Sequence, residues 1–240
     1  MGHTCVVSEA AAAKPLGARA RVRAELTAEI KHAARRQLES EGASSLSLRA
    51  IAREMGMASS AIYRYFASRD ELLTALIIDA YGALGDAATA ADEACDRTSY
   101  HDRFVAVTQA VRSWAHDHPH EYALIYGSPV PGYAAPDDTI DPAIRVPTLL
   151  ISVVADYCVS SGRVGAGSND NAELTQALAD LSAFSGHVVP VDLLSQSVQA
   201  WGQVFGLISL ELFGHFNNAV TDPAVAFDFA MNDIATSLLA

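Results

Sequence analysis

The feature that most constrains this chain is a pair of short helical patterns separated by a glycine, within residues 47–66. The first pattern repeats apolar residues at spacings of three and four, on one helix face: Leu48, Ile51, Ala52 and Met55. Ser47 is suited to cap this helix and Gly56 to end it. The second pattern, residues 60–66, repeats the spacing with Ile62, Tyr63 and Phe66. Two amphipathic helices joined by a tight glycine turn brace one another, so this stretch predicts a helix-turn-helix.

The rest of the chain shows helical periodicity and no alternating strand pattern, which predicts an all-α protein. A first helix is expected from Glu25 to Gly42, and a fourth begins at Ser68, with Glu71 at the reciprocal capping-box position. Later helices are expected at residues 100–118, 121–126, 145–159, 172–184 and 190–216, and from Pro223 onward. Pro147 would then lie in the first turn of its helix, where proline is tolerated.

Three parts follow from this organisation. Residues 1–20 lack a hydrophobic period and are expected to form a flexible arm. Residues 21–70 are expected to form a three-helix domain that contains the helix-turn-helix, and residues 71–240 a helical bundle.

The charge is distributed unevenly between these parts. The whole chain has a formal net charge of −12, which alone would argue against a nucleic acid partner. Residues 1–75, however, carry 11 Lys and Arg against 8 Asp and Glu, and the remainder carries 5 against 20. The acidity therefore belongs to the bundle, and the helix-turn-helix part is basic.

Several other classes of protein find no support in the sequence. Cys5, Cys95 and Cys158 form no paired motif and are expected to be reduced thiols. There is neither a signal-peptide pattern nor a run of about 18 apolar residues, so we expect a cytoplasmic protein without a membrane partner. The alternating histidines at 116, 118 and 120 would spread over different helix faces, so no metal site is expected. No catalytic constellation and no cofactor motif is present, and an enzyme is not predicted.

The stretch at 47–73 resembles the TetR family of regulators. The shared pattern comprises Ile51-Ala52, Gly56, Tyr63-Arg64-Tyr65-Phe66, Arg69 and Glu71-Leu72-Leu73. The resemblance implies that residues 60–66 form the recognition helix and that the fourth helix connects it to a ligand-responsive dimer domain.

The resemblance also implies which residues contact DNA: Ser47, Arg49, Ser59, Ser60, Ala61, Tyr63, Arg64, Tyr65 and Arg69. Tyr63, Tyr65 and Arg69 would hold phosphates, whereas residues on the recognition face would contact base edges. The family often has Ser or Thr where this chain has Ala58, so Ser59 is the expected substitute cap. Outside the motif, Arg19, Arg21 and Arg23 either reach the minor groove or stay in solvent.

Residues 118–136 and 201–216 resemble a WHG-type C-terminal domain of the same family, although Phe205-Gly206 stands where some members have His-Gly. In that resemblance the last two helices form a four-helix dimer interface. The helix around Trp201 is apolar nearly all round, which also indicates a partner chain; the alternative is the central helix of a monomeric bundle.

A small-molecule pocket is expected in the acidic domain. Its candidate residues are aromatic side chains and one histidine, each of which could instead be plain core: Trp114, Tyr122, Tyr126, Tyr157, Phe184, His187 and Trp201.

Together these observations predict a TetR-like regulator, a ligand-responsive repressor that binds a palindromic operator as a homodimer. The alternatives are an all-helical enzyme or small-molecule carrier without DNA binding, and a DNA-binding dimer that answers no ligand. The sequence names neither the operator nor the effector.

Overall fold

A computed structural model describes residues 17–163, 172–185 and 189–239. Over these ranges the chain forms α-helices joined by turns and three short 3₁₀ segments, without a strand. This confirms the all-α prediction. The helices are α1 Ala18–Glu41, α2 Leu48–Glu54, α3 Arg69–Glu93, α4 Tyr100–Asp117, α5 Pro119–Tyr126, α6 Ile140–Ser161, α7 Ala172–Ala177, α8 Ala179–Ser185, α9 Val191–Leu212 and α10 Pro223–Leu238.

Helix α1 begins at Ala18, seven residues before the expected Glu25. Its first seven residues are all exposed, so no apolar stripe marks them in the sequence. The helix ends at Gly42, whose φ of +77° suits glycine and whose N–H bonds the carbonyl of Leu38.

Helix α2 begins where the sequence predicts. The Ser47 hydroxyl accepts a hydrogen bond from the Ala50 N–H at 3.4 Å, as an N-cap does. Gln37 of α1 fixes the same point, because its side-chain oxygen accepts from the Ser47 N–H at 3.0 Å. After the helix, Gly56 turns the chain with a φ of +66°.

The expected recognition helix over residues 60–66 is wrong in length and type. Only Ile62–Arg64 is helical, as a single 3₁₀ turn flanked by ordinary turns. Its hydrogen bonds run mainly over three residues, as in Arg64 N–H to Ala61 and Tyr65 N–H to Ile62. Hereafter residues 59–66 are called the recognition segment.

Helix α3 runs between the two parts of the molecule. The Ser68 hydroxyl caps it by accepting from the Glu71 N–H at 3.1 Å. The Glu71 carboxylate reaches back and accepts from the Ala67 N–H, one residue before the cap rather than at it. The predicted capping box therefore forms with a displaced partner.

Two hydrophobic cores are built on this helix. Residues 72–77 of α3 pack with α1, α2 and the recognition segment, and residues 80–88 pack with α4, α6, α9 and α10. Ile125 of α5 packs against both cores. The boundary between the domains thus crosses α3 and α5 instead of a linker.

In the bundle, several helix bounds differ from expectation. Helix α5 begins at Pro119 instead of residue 121, and α9 ends at Leu212 instead of residue 216. Helix α6 begins at Ile140, which puts Pro147 in the helix interior and not in the first turn. The expected helix at 172–184 is divided into α7 and α8 at Leu178. The last helix begins as predicted, with Asp222 accepting from the Val225 N–H at 3.1 Å.

By length and mean hydropathy, Arg69–Glu93 and Asp137–Ser161 could each span a membrane. Within each stretch, 44 % of the apolar 18-residue window is buried, and most of the buried residues of the two helices belong to the cores just described. Their apolar character is therefore explained by packing.

Candidate DNA-binding site

The predicted DNA-contacting residues come together on one surface formed by the start of α2, the Gly56 turn and the recognition segment. Seven of them lie on this surface as exposed or half-buried residues: Ser47, Arg49, Ser59, Ser60, Ala61, Tyr63 and Arg64. An open cleft of about 670 Å³ runs between α2 and the turn, with Arg49, Arg53 and Ser59 among its lining residues.

One side of the recognition segment is buried in the core, and the other side is exposed to solvent. Ile62 is fully buried and Phe66 is 5 % exposed, and both belong to the helix-turn-helix core. Tyr63 between them is 45 % exposed, and Arg64 is exposed. The anchors therefore orient Tyr63 and Arg64 toward solvent, as groove-contacting side chains require.

Three arginines on this surface are free to meet an anion. Within the described residues, Arg49, Arg53 and Arg64 have neither an ion pair nor a side-chain hydrogen bond. The nearby Arg36 contrasts with them, because its guanidinium is 2.6 Å from the Glu54 carboxylate. Unpaired cations on one face are suited to neutralise backbone phosphates.

Arg69 is used differently from the prediction. Its guanidinium donates to the carbonyl oxygens of Ala43 at 2.9 Å and Ser44 at 3.3 Å, and it is 3.5 Å from the Asp70 carboxylate. The contacts tie the start of α3 to the loop after α1. In this arrangement Arg69 supports the motif, and a role as a phosphate ligand remains a prediction.

Sequence reasoning missed the part that Arg23 plays. The Arg23 guanidinium donates to the Arg64 carbonyl oxygen at 2.9 Å and lies 5.3 Å from the centre of the Tyr65 ring. Tyr65 is half-buried beneath it and packs against the helix-turn-helix core. No sequence signal pairs residues 23 and 64, since the contact depends on how α1 crosses the segment.

Three of the predicted pocket residues form an aromatic cluster in the bundle. Tyr126 lies 4.3 Å from Phe205 and 5.2 Å from Tyr122 between ring centres, and Trp201 is 5.9 Å from Phe205. The Tyr122 hydroxyl bonds the Phe205 carbonyl at 3.1 Å and the Ser209 hydroxyl at 2.9 Å.

The polar groups of this aromatic cluster are buried, as in a hydrophobic core. Burial raises the pKa of Tyr122 to about 12 against the opposing hydrogen bond from Ser209, and burial also raises the pKa of Tyr126. The indole N–H of Trp201 is buried without a partner among the described residues. Both tyrosines therefore stay neutral at physiological pH.

Two other predicted pocket residues make their ring contacts outside this cluster. Trp114 stacks on His118 at 5.0 Å, and Tyr157 packs edge-on against Tyr100 at 5.9 Å. The side chain of Phe184 and the whole of His187 lie outside the described residues. Among the predicted pocket residues whose side chains the structure describes, Tyr122, Tyr126 and Trp201 come together in the cluster.

The outer face of α9 and α10 carries exposed apolar side chains and two glycines. Leu210 is 40 % exposed, and Phe229 of α10 is 75 % exposed. A Cβ atom added at Gly202 or Gly206 would meet nothing within 4 Å, so the α9 backbone is approachable from outside. Small residues at a spacing of four let a second helix come close.

The histidines near the end of α4 form no metal cluster. His116 instead lies 3.2 Å from Glu211, which Arg112 also holds at 2.6 Å. Over the part of the chain that the structure describes, no group of three His, Cys, Asp or Glu residues could hold a metal ion.

Comparison with known proteins agrees with this architecture. Residues 30–76 match the family model described as bacterial regulatory proteins of the tetR family, and residues 104–234 match the tetracyclin repressor-like C-terminal domain. The HTH-type transcriptional regulators Rv1816 of Mycobacterium tuberculosis and Mb1846 of Mycobacterium bovis are each 40 % identical over 218 residues, covering 89 % of this chain and 92 % of theirs.

Solved structures show the same fold. The crystal structure of SCO4313 superposes with a TM-score of 0.70 at 34 % identity, covering 89 % of this chain and 97 % of that one. A protein of unknown function from Rhodococcus sp. RHA1 shares the fold at a TM-score of 0.67 and 23 % identity, covering 90 % and 96 %. Matching models at both ends of the chain, close curated relatives and a helix-turn-helix with its cations exposed agree on one conclusion: the chain belongs to the TetR family of DNA-binding transcriptional regulators.

Proposed function

We propose that the chain is a cytoplasmic, non-enzymatic repressor that binds a palindromic operator as a homodimer and is released by a small molecule. The observation that carries the DNA-binding part is the exposed surface of α2 and the recognition segment, where Arg49 and Arg53 of the first and Arg64 of the second are unpaired among the described residues and Tyr63 is exposed. Arg64 is the residue we assign to base edges, because it stands on the segment's open side. Tyr63 is assigned to a phosphate through its hydroxyl.

The experiment that tests this is selection of duplexes from a random DNA library with the purified chain. A recovered palindrome supports the repressor, and absence of enrichment at low salt supports the alternative of an all-helical enzyme or carrier. The spacing between the two half-sites of the selected DNA reports the distance between the two recognition segments of the dimer, because each segment enters one major groove.

Substitutions divide the DNA contacts by role. Tyr63→Phe should weaken binding to selected and unrelated duplexes alike, since a phosphate contact carries no sequence information. Arg64→Ala should weaken the selected duplex more, by about 1 to 3 kcal/mol if the contact to a base is bidentate. Arg36→Ala is the matched control, because that arginine is exposed but already paired with Glu54. Equal binding by all three variants and the parent would contradict the assignment.

The dimer is proposed to form through the outer face of α9 and α10. The exposed Leu210 and Phe229 together with the open backbone at Gly202 and Gly206 support this, because a second copy would bury the apolar side chains against a close helix. A two-fold axis at this face would suit a palindromic site.

Phe229→Glu tests the interface. It should convert the dimer to a monomer in sedimentation analysis, because it would bury an unpaired charge at the interface. Val159→Glu is the control, since Val159 is 70 % exposed and belongs to α6 and not to α9 or α10. If Phe229→Glu remains a dimer, the interface does not include this face of α10.

Release by a small molecule would follow from linkage. A ligand that favours a dimer geometry unsuited to successive major grooves weakens operator binding by some factor. Operator DNA must then weaken ligand binding by the same factor. Screening metabolites for release of the selected duplex tests this part. A chain that no metabolite releases would be a DNA-binding dimer without an effector.

A further inference from the structure

A cleft of about 470 Å³ opens where the helix-turn-helix part meets the bundle. One wall is the middle of α3 with Ile77 and Tyr81, and a second is the end of α5 with Leu124 and Ile125. The loop after α5, with Val130 and Tyr133, and the beginning of α6, with Ile140 and Ala143, close the other sides. None of the predicted pocket residues whose side chains the structure describes lines this cleft.

The lining is mostly apolar and carries no charge. It includes no Asp, Glu, Lys, Arg or His, and its polar groups are hydroxyls and backbone. The Tyr133 hydroxyl is 2.9 Å from that of Thr74, and the Tyr81 hydroxyl donates to the Ile125 carbonyl at 3.2 Å. An ion entering the cleft would lose its hydration without a counter-charge, whereas a neutral molecule would lose little.

The size and shape of the cleft favour a small molecule over a macromolecule. Pockets for drug-sized ligands measure about 300 to 1,000 Å³ and combine apolar walls with a few polar groups. Ile140 lies at the edge of this cleft with 42 % of its surface exposed. The cleft is thus a concave site whose apolar lining reaches solvent.

The walls belong to different parts of the molecule. Ile77, Leu124, Ile125, Val130 and Tyr133 all pack against the helix-turn-helix core. The facing wall is the start of α6, a helix that packs in the bundle core. A molecule in the cleft would therefore contact the support of the helix-turn-helix on one side and the bundle on the other.

A path of contacts leads from this cleft to the recognition segment. Glu121 of α5 lies 3.3 Å from Arg35 of α1, and Arg35 also pairs with Asp79 of α3 at 2.9 Å. The same helix α1 carries Arg23, which holds the Arg64 carbonyl. A shift of α5 against α6 would thus be passed to the helix that positions the segment.

We propose that this cleft binds an uncharged, mainly apolar small molecule, and that this molecule is the effector. The second half of the proposal rests on the ligand response proposed above; the binding site itself does not. Effector and operator are coupled here through α5 and α1, because occupation of the cleft changes the relative energies of two arrangements of these helices.

The test uses the full chain and two fluorescent dyes that share an aromatic frame. N-phenylnaphthylamine is neutral, and anilinonaphthalene sulfonate differs from it by one anionic group. The neutral dye should bind with one site per chain, and the anion should bind at least about tenfold more weakly, since burying an unpaired charge costs more than the 1.4 kcal/mol that tenfold represents. Equal affinity for both dyes would overturn the assigned ligand chemistry.

Two variants locate the site. Ala143→Trp should fill the cleft and reduce neutral-dye affinity by about tenfold or more, and Ala90→Trp on the exposed side of α3 should leave it unchanged. Ile140→Glu puts a charge at the cleft edge on an exposed side chain, so it tests the site even if Ala143→Trp fails to fold. Neutral-dye affinity equal to the parent's in folded Ala143→Trp, or in Ile140→Glu, would overturn the site.

DNA release is measured separately. Loss of dye binding in the cleft variants supports the site whether or not the dye releases DNA. If a metabolite that releases the selected duplex still does so from Ala143→Trp and Ile140→Glu, the cleft is not the effector site, although the ligand response stands.

Discussion

The helix-turn-helix part and the bundle are held together by different means. In the first, short elements pack on one core that includes Ile62 and Phe66. Side-chain contacts to backbone carbonyls add to this core, from Arg23 to that of Arg64 and from Arg69 to those of Ala43 and Ser44. In the bundle, long helices bury large side chains and one ion-pair network. The difference is that the charged side chains of the helix-turn-helix part make exposed or half-buried contacts, whereas the bundle contains an ion pair that is buried on both sides.

The strongest test of this difference is the network around Arg103. Arg103 is 2 % exposed and joins Asp92 at 2.8 Å and Asp156 at 2.8 Å, which ties α4 to α3 and α6. Arg103→Met should lower the free energy of unfolding by about 3 kcal/mol, because a buried carboxylate loses a partner. Chemical denaturation measures this. The exposed pair at Arg36 is the control, and Arg36→Met should cost no more than about 1 kcal/mol. Similar losses would remove the contrast between buried and surface contacts.

Acid should weaken the same network by a smaller amount. Burial raises the pKa of Asp92, but hydrogen bonds and charge from Arg97 and Arg103 outweigh burial and hold this pKa below its ordinary value. The carboxylate therefore stabilises the fold above its unfolded pKa, and this contribution is lost as pH falls through the lower, folded pKa. Unfolding measured from about pH 5 down to about pH 2 should show the loss. Asp92→Asn should show a shallower decline; an identical profile would assign acid sensitivity to other groups.

Loss of a helix cap should change the free energy of unfolding by an intermediate amount. Ser68 and Ser99 form a matched pair of serines, each directly before a helix. The Ser68 hydroxyl caps α3, whereas Ser99 stands before α4 without a side-chain cap bond. Ser68→Ala should cost about 1 kcal/mol in unfolding free energy, because one helix N–H loses its acceptor. Ser99→Ala should change it by a few tenths of a kcal/mol at most. Equal costs would mean that cap geometry does not decide the stability of these helix ends.

The smallest change in free energy is expected from the contact between Arg23 and the recognition segment. Arg23→Gln removes a surface cation–π contact worth about 0.5 to 1 kcal/mol, so affinity for the selected duplex should fall a few-fold. Its salt dependence should stay the same if Arg23 only positions the segment, because the Arg23 guanidinium is engaged by the Arg64 carbonyl and the Tyr65 ring. Arg21→Gln, on the same exposed turn of α1, is the comparison. A salt slope reduced by about 1 in Arg23→Gln would show that this residue binds phosphate itself.

Features set by a few neighbouring residues could be predicted from the sequence. Ser47, Ser68 and Asp222 each begin a helix because their side chains bond an N–H three residues on. The all-α class and the helix-turn-helix followed from spacing alone. These contacts are local, so the sequence contains all their partners.

Features that depend on packing could not be predicted. The recognition segment forms only one turn, whose Arg64 carbonyl accepts from Arg23 of α1, and Arg69 donates to the loop after α1. Both contacts join residues that are distant in sequence. Trp114 and Tyr157 are aromatic residues like Tyr122 and Tyr126, yet the helix crossings separate them from that cluster. The cleft between α3, α5 and α6 has no sequence signature, since its lining consists of ordinary apolar residues.

The brevity of the recognition segment limits how much information one chain can extract from DNA. One 3₁₀ turn exposes few side chains, so a single copy can distinguish only a short word of bases. A genome offers on the order of 10⁶ or more competing positions, and such a word would recur at many of them. In a dimer, selectivity would then reside in the fixed distance between the two recognition segments. A change in that distance would abolish operator binding even though each segment still fits its own bases.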